Sequence, residues 1–101
     1  MPAERYPVSL AAEVKRLLKK WGNKAEQLGT RDQYLTDLRM IAQHLATHPS
    51  DWGDPQYMLP NLGMVMYLRS QPPFYIYYAV NEKAKLVFVQ DIRLMPESGL
   101  D

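Results

Sequence analysis

Five residues in the C-terminal half have the chemistry to act on a phosphate: Tyr67, Arg69, Tyr75, Tyr77 and Arg93. A guanidinium neutralises phosphate oxygens and stabilises charge developing on them. A tyrosine ring stacks on a base, and its hydroxyl moves a proton when its pKa is tuned. All five fall in stretches where side chains alternate between two faces. Taking the more apolar set of each strand toward the core puts Met64, Met66 and Leu68 inward, with Phe74, Ile76, Tyr78 and Val80, and with Leu86, Phe88, Gln90 and Ile92. The opposite face then collects the five residues and Asp91. A single β-bulge would invert a strand's faces beyond it. The same residues have an ordinary reading as cross-strand Tyr–Arg and Arg–Asp pairs on a solvated sheet face.

A second group is cationic. Lys15, Arg16, Lys19 and Lys20 lie within one helical stretch, away from its apolar stripe. They have the charge to track a nucleic-acid backbone or to hold an acidic partner, and equally to form a solvated helix face. His44 and His48 sit four apart with Asp51 nearby, which places two imidazoles on one helix face. The HExxH pattern of zinc hydrolases is absent, and interaction with a helix C-terminal dipole accounts for these histidines without a metal. No P-loop, GxGxxG, GxSxG or paired-carboxylate motif occurs, and no cofactor is implied.

Composition narrows the classes further. The 101 residues include no cysteine, which removes disulfides, thiolate zinc sites and cysteine nucleophiles together. The formal net charge of +1 conceals an asymmetry. Residues 1–48 carry eight basic and five acidic side chains, whereas residues 49–101 carry four and six. The expectation is a single soluble cytoplasmic domain with no membrane span and no signal-peptide pattern.

The elements that must position these residues follow from periodicity. Residues 5–9 suggest a short strand, with Pro7 favouring an edge. Leu10, Val14, Leu17, Leu18, Trp21, Ala25 and Leu28 recur at helical spacing, with Ser9 as a cap and a bend or break at Gly22. Thr30 to Gln33 reads as a capping box for a second helix, which bears Tyr34, Leu38, Ile41, Ala42 and Leu45 and ends before Pro49. From there the period is two: strands over 57–59, 64–70, 74–80 and 85–94, with order ending at Pro96 to Gly99. The fold class is α+β: an N-terminal edge strand and two helices packed on one face of a three- to four-stranded antiparallel sheet.

This order resembles the RelE/ParE superfamily of type II toxin–antitoxin toxins. The similar passages are the basic helix over 10–21, LRMIAQHLATHP at 38–49, the connector and middle strands over 52–68, and FYIYYAVNEKAKLVFVQDI at 74–92. The resemblance implies one RelE/ParE-like domain, residues 1–101, that inhibits growth. One route is ribosome-dependent endoribonuclease (mRNA interferase) action, with 2′-OH attack leaving a 2′,3′-cyclic phosphate. Arg69 and Arg93 would then neutralise the phosphate, and Tyr75 or Tyr77 would stack or move a proton. The other route is binding of a target, as ParE-like members bind DNA gyrase. It also implies a cognate antitoxin as partner, with Lys15, Arg16, Lys19, Lys20 and Tyr67 as nucleic-acid or partner contacts. Two departures favour the second route: Phe74 is followed by Tyr75 where RelE-type ribonucleases carry arginine, and no tyrosine follows Asp91 to Met95. A non-enzymatic module on the same fold, binding gyrase or an antitoxin, or a degenerate family member, is the alternative.

Overall fold

The computed structural model describes residues 5–101. In chain order the elements are β1 (Val8–Leu10), α1 (Ala12–Gln27), α2 (Arg31–Thr47), the single turn α3 (Pro49–Trp52), β2 (Asp54–Leu59), β3 (Met64–Gln71), β4 (Phe74–Asn81) and β5 (Leu86–Leu94). The α+β class stands, with two main helices packed on one face of a sheet. The sheet has five strands in the order β1-β5-β4-β3-β2 and is mixed, because β1 runs parallel to β5. Pro7, with no amide to donate, sits just before β1, and its carbonyl accepts from Val87 N at 3.0 Å. Ala11 N donates to Val89 O at 3.0 Å, which fixes the start of α1 against the same strand.

Local signals resolve differently from expectation at several points. Helix α1 runs unbroken through Gly22, which is buried because the Tyr34 ring lies against it: a β-carbon there would sit 3.2 Å from Tyr34 Cε1. Ser9 is a strand residue, and the N-cap of α1 is Ala11, with no side-chain cap. Thr30 is at the N-cap of α2, but its hydroxyl donates back to Ala25 O at 3.3 Å, and Gln33 Nε2 donates to Asp37 Oδ1 at 2.9 Å, so no capping box forms. The C-terminal tail does not end order at Gly99. Leu100 returns to the core and is 7 % exposed.

The core lies between the helices and the inner sheet face. The Phe74 ring, completely buried, stacks on Trp21 at 5.8 Å and meets Tyr34 edge-on at 6.2 Å. Val14, Ile41, Leu45, Ile76, Val80, Val87, Val89 and Ile92 fill the rest. Each fully buried large side chain contributes about 1.5–3 kcal/mol relative to exposure.

Two strands present faces other than those expected. In β5, Tyr77 pairs with Asp91 and Tyr78 with Val89, so Gln90 is a bulge. Val87 and Val89 before it and Ile92 and Leu94 after it therefore share the inner face, while Leu86 and Phe88 point outward with Asp91 and Arg93. In β3, the pairs Tyr67–Tyr78 and Arg69–Ile76 put Tyr67 and Arg69 on the inner face, and Met66 and Leu68 on the outer one beside Ala79 and Tyr77. Average apolarity misassigned β3 because Tyr67 and Arg69 find aromatic and backbone partners inward.

Above β3 and β4 the turn α3 closes one end of the core. Tyr78 Oη donates to Pro49 O at 2.6 Å, and Tyr67 stacks on the Tyr78 ring at 5.4 Å. Gly53 follows α3 directly under that phenol. A β-carbon at Gly53 would sit 2.5 Å from Tyr78 Oη. A separate clamp ties the N-terminal arm and α3 to the β4–β5 turn through Glu82. Tyr6 Oη donates to Glu82 Oε2 at 2.8 Å, Ser50 Oγ donates to Oε1, and Lys85 Nζ lies 3.6 Å from Oε2.

Gly53→Ala is expected to destabilise by about 2 kcal/mol through overpacking against Tyr78. Gly22→Ala stays within about 1 kcal/mol of the parent, since helix propensity offsets the crowding at Tyr34. Urea unfolding of the two variants checks the contrast. The Ser50 and Tyr6 hydrogen bonds hold the Glu82 carboxyl below its ordinary value of 4.5. Its contribution is therefore present above the unfolded-state value and is lost as pH falls through the lowered folded-state value. The stability gap between parent and Glu82→Gln is expected to be about 1 kcal/mol or less at neutral pH and to shrink in acid. Unfolding curves collected across that range measure it.

Candidate binding face

The outer face of the sheet carries no helix. Its middle row, read across the strands, is Ser9, Phe88, Ala79, Met66 and Tyr57. Two exposed rings stand on it: Phe88 is 38 % and Tyr57 57 % exposed. Leu86, 45 % exposed, adds to the apolar margin on β5. Met66 is nevertheless buried on this face, at 3 % exposure. The row beside it holds Asp91, Tyr77 and Leu68, and the next holds Arg93, Tyr75 and Ser70. Sequence alternation placed Tyr75, Tyr77, Asp91 and Arg93 here correctly. It did not place Phe88, Leu86 and Met66 here, because the inversion of β3 and the β5 bulge leave no mark on apolar periodicity.

Arg93 is committed within the face. Its Nε donates to Asp91 Oδ2 at 3.0 Å, and its guanidinium lies 5.5 Å from the Tyr77 ring centre. Asp91 also accepts from Ile92 N at 2.9 Å, so the pair is oriented by the backbone. The Arg93 side chain is still largely open to solvent.

Arg69 lies on the other side of the sheet. Its Nη1 donates to Trp52 O at 2.9 Å, and its guanidinium sits 5.2 Å from the Trp52 ring centre. The His44 ring is stacked on the same indole at 5.1 Å, nearly parallel. Arg69 Nε is buried with no acceptor among the described residues. Tyr67, packed on Tyr78, belongs to this inner cluster too. The four residues expected to work on one phosphate therefore do not converge: Tyr75, Tyr77 and Arg93 share the outer face, and Arg69 is on the inner one.

Two tyrosines of the inner core, Tyr34 and Tyr78, serve as hydrogen-bond donors to backbone carbonyls. Burial pushes the Tyr34 phenol up to about 12, and its hydroxyl donates to Leu18 O at 2.6 Å. Burial also raises the Tyr78 phenol well above its ordinary value, and its proton is already given to Pro49 O. Both phenols are structural donors near neutral pH.

The cationic group is on the outer side of α1. Lys15, Arg16, Lys19 and Lys20 are all exposed. Arg16 is held by Glu13 through a bidentate pair, its Nε donating to Oε2 at 2.8 Å, and that hydrogen bond lowers the Glu13 carboxyl and raises the Arg16 guanidinium. Arg16, Lys19 and Lys20 line a shallow hollow of about 510 Å³ with Lys24 and the tail residues Leu100 and Asp101, while Lys15 is not among its walls. His48 is exposed, its Nδ1 2.9 Å from Thr47 Oγ1. Among the described residues, no group of three or more His, Asp or Glu side chains is placed to hold a metal ion. Nor is any helix long and apolar enough to cross a membrane. Comparison with family models, curated proteins and solved structures gives no match for this chain.

Arg69→Ala removes a partly buried cation–π and hydrogen-bonded group, and it is expected to destabilise by about 2–3 kcal/mol. Arg93→Ala removes an exposed pair and is expected to cost about 1 kcal/mol or less. Thermal or urea unfolding of the two variants separates a structural arginine from a surface one.

Proposed function

We propose that this protein is a RelE/ParE-like toxin-family protein that acts by binding its target through the outer sheet face, without cleaving RNA. One observation carries the choice between the two routes. Arg69 and Arg93, the two guanidiniums a scissile phosphate would need together, lie on opposite faces of the sheet. In-line displacement at a phosphate depends on converging cations and a group that moves a proton. The converging cations are not assembled here. The outer face offers Phe88, Tyr57 and Leu86 instead, exposed aromatic and aliphatic side chains of the kind that anchor protein interfaces. The order of one strand, two helices and an antiparallel run of strands supports the family reading, and a target such as DNA gyrase and a cognate antitoxin belong to it.

The test is inducible expression in bacteria with growth and RNA 5′-end mapping as readouts. Growth arrest is expected for the parent chain and for Arg93→Ala, with no new RNA ends. A Tyr57→Ser, Phe88→Ser double variant that stays folded by circular dichroism is expected to lose the arrest, raising colony counts by about tenfold or more. Transcript ends that vanish with Arg93→Ala would overturn the reading in favour of a ribonuclease. A parent chain that leaves growth unchanged overturns it altogether.

A further inference from the structure

The hairpin formed by β2 and β3 ends in an uncovered apolar tip. Residues 55–68 carry no charged side chain, and no aspartate or glutamate occurs between Asp54 and Glu82. A run of that composition is ordinarily buried, yet here several of its side chains stand in solvent. Tyr57 and Met58 are neighbours on β2 and so point to opposite faces of the sheet. Tyr57 pairs with Met66 on the outer face, and Met58 pairs with Val65 on the helix side. The helices leave Met58 69 % exposed. Leu62, in the 3₁₀ turn Pro60–Leu62 that links the two strands, is 62 % exposed.

The β4–β5 turn lies beside this tip, with Asn81 Nδ2 donating to Leu62 O at 3.3 Å. It carries Lys83 and Lys85, both exposed. Its one acid, Glu82, is engaged by Tyr6, Ser50 and Lys85. One end of the sheet therefore combines bare apolar side chains with adjacent ammonium groups.

Two features decide what can cover it. Apolar side chains are exposed on both faces of β2 and at the turn, so a flat partner surface covers only part of the tip. Directional backbone contacts are also scarce. Pro55 and Pro60 have no amide, the register slips between Pro55 and Tyr57, and Gly63 N is spent on Pro60 O at 3.2 Å. A bilayer interface meets both conditions. It closes around a convex apolar tip from every side, requires no fixed hydrogen-bond pattern, and offers phosphates to nearby lysines.

We propose that the β2–β3 tip docks this protein on the surface of a phospholipid bilayer. Met58 and Leu62 enter the boundary between headgroups and acyl chains, while Lys83 and Lys85 meet headgroup phosphates. The chain then lies on the membrane by its tip, and no helix among the described residues is long and apolar enough to cross. Met58 and Leu62 are outside the Phe88 and Tyr57 row, so the proposal stands independently of the target-binding reading.

The test is flotation of the full chain with extruded vesicles of phosphatidylcholine alone or mixed equally with phosphatidylglycerol. Vesicles with phosphatidylglycerol are expected to carry up about fivefold or more of the parent chain than phosphatidylcholine alone, and Lys83→Glu is expected to narrow that preference. A Met58→Ser, Leu62→Ser double variant changes only exposed side chains, so its thermal midpoint is expected to stay close to the parent's. Its flotation is expected to fall about tenfold or more, while Met58→Leu floats like the parent. In Leu62→Trp the added indole starts in solvent, whereas Trp21 and Trp52 are buried, and its emission is expected to move to the blue on vesicles. A parent chain that floats with neither vesicle, a double variant that floats like the parent, or an unshifted Leu62→Trp emission would overturn the proposal. So would a concentration-dependent dimer in sedimentation that the double variant dissolves, since a second copy would then be the occupant. Growth arrest without flotation condemns the tip alone, and flotation of a chain that leaves growth unchanged condemns only the outer-face reading.

Discussion

One extra residue in β5 governs both faces of this sheet. Were β5 regular, Val87 and Val89 could not face inward together with Ile92 and Leu94. Gln90 supplies the half-step. The inner face then gains four aliphatic side chains from one strand, against which α1 and α2 pack. The outer face gains Phe88 and Leu86 at one end, and the Asp91–Arg93 pair at the other. A core and a surface are set by the same local irregularity, and neither can change without the other.

The second organising feature is the phenol of Tyr78. Its ring lies between the inner strands and α3, with Tyr67 stacked on it and Trp52 6.1 Å away. Its hydroxyl satisfies the Pro49 carbonyl, and Gly53 leaves room for it. This arrangement explains why Arg69 turns inward. The Trp52 carbonyl and indole are already fixed there, and they provide a guanidinium with an acceptor and a π face. An arginine that looks like a phosphate ligand in the sequence is thereby used to secure one end of the core.

Element order and class were legible in the sequence because apolar period reports burial. The stripes on α1 and α2 gave Val14, Trp21, Ala25, Tyr34, Ile41 and Leu45, all buried. The β4 strand, with Phe74, Ile76, Tyr78 and Val80 inward, was equally plain. What escaped was everything decided by pairing partners. The parallel docking of β1 depends on a strand nearly eighty residues away. The inward turn of Tyr67 and Arg69 depends on a four-residue helix that carries no periodic signal. Leu100 lies beyond a Pro-Glu-Ser-Gly stretch that reads as a chain end, yet it is buried in the core. For the candidate site, Tyr75, Tyr77 and Arg93 were placed on the correct face by alternation alone, while their convergence with Arg69 was a product of the β3 misassignment.

The outermost strand on the other side of the sheet, β2, bears on how anything can approach. Pro55 offers no amide, and the register of β2 slips between Pro55 and Tyr57. A bare strand edge invites another chain to extend the sheet by backbone hydrogen bonds, and a proline beside a bulge interrupts that row of donors. This edge is thus poorly suited to lengthening into fibrils or ribbons of paired strands. A partner approaching from this side meets side chains rather than a regular row of backbone donors.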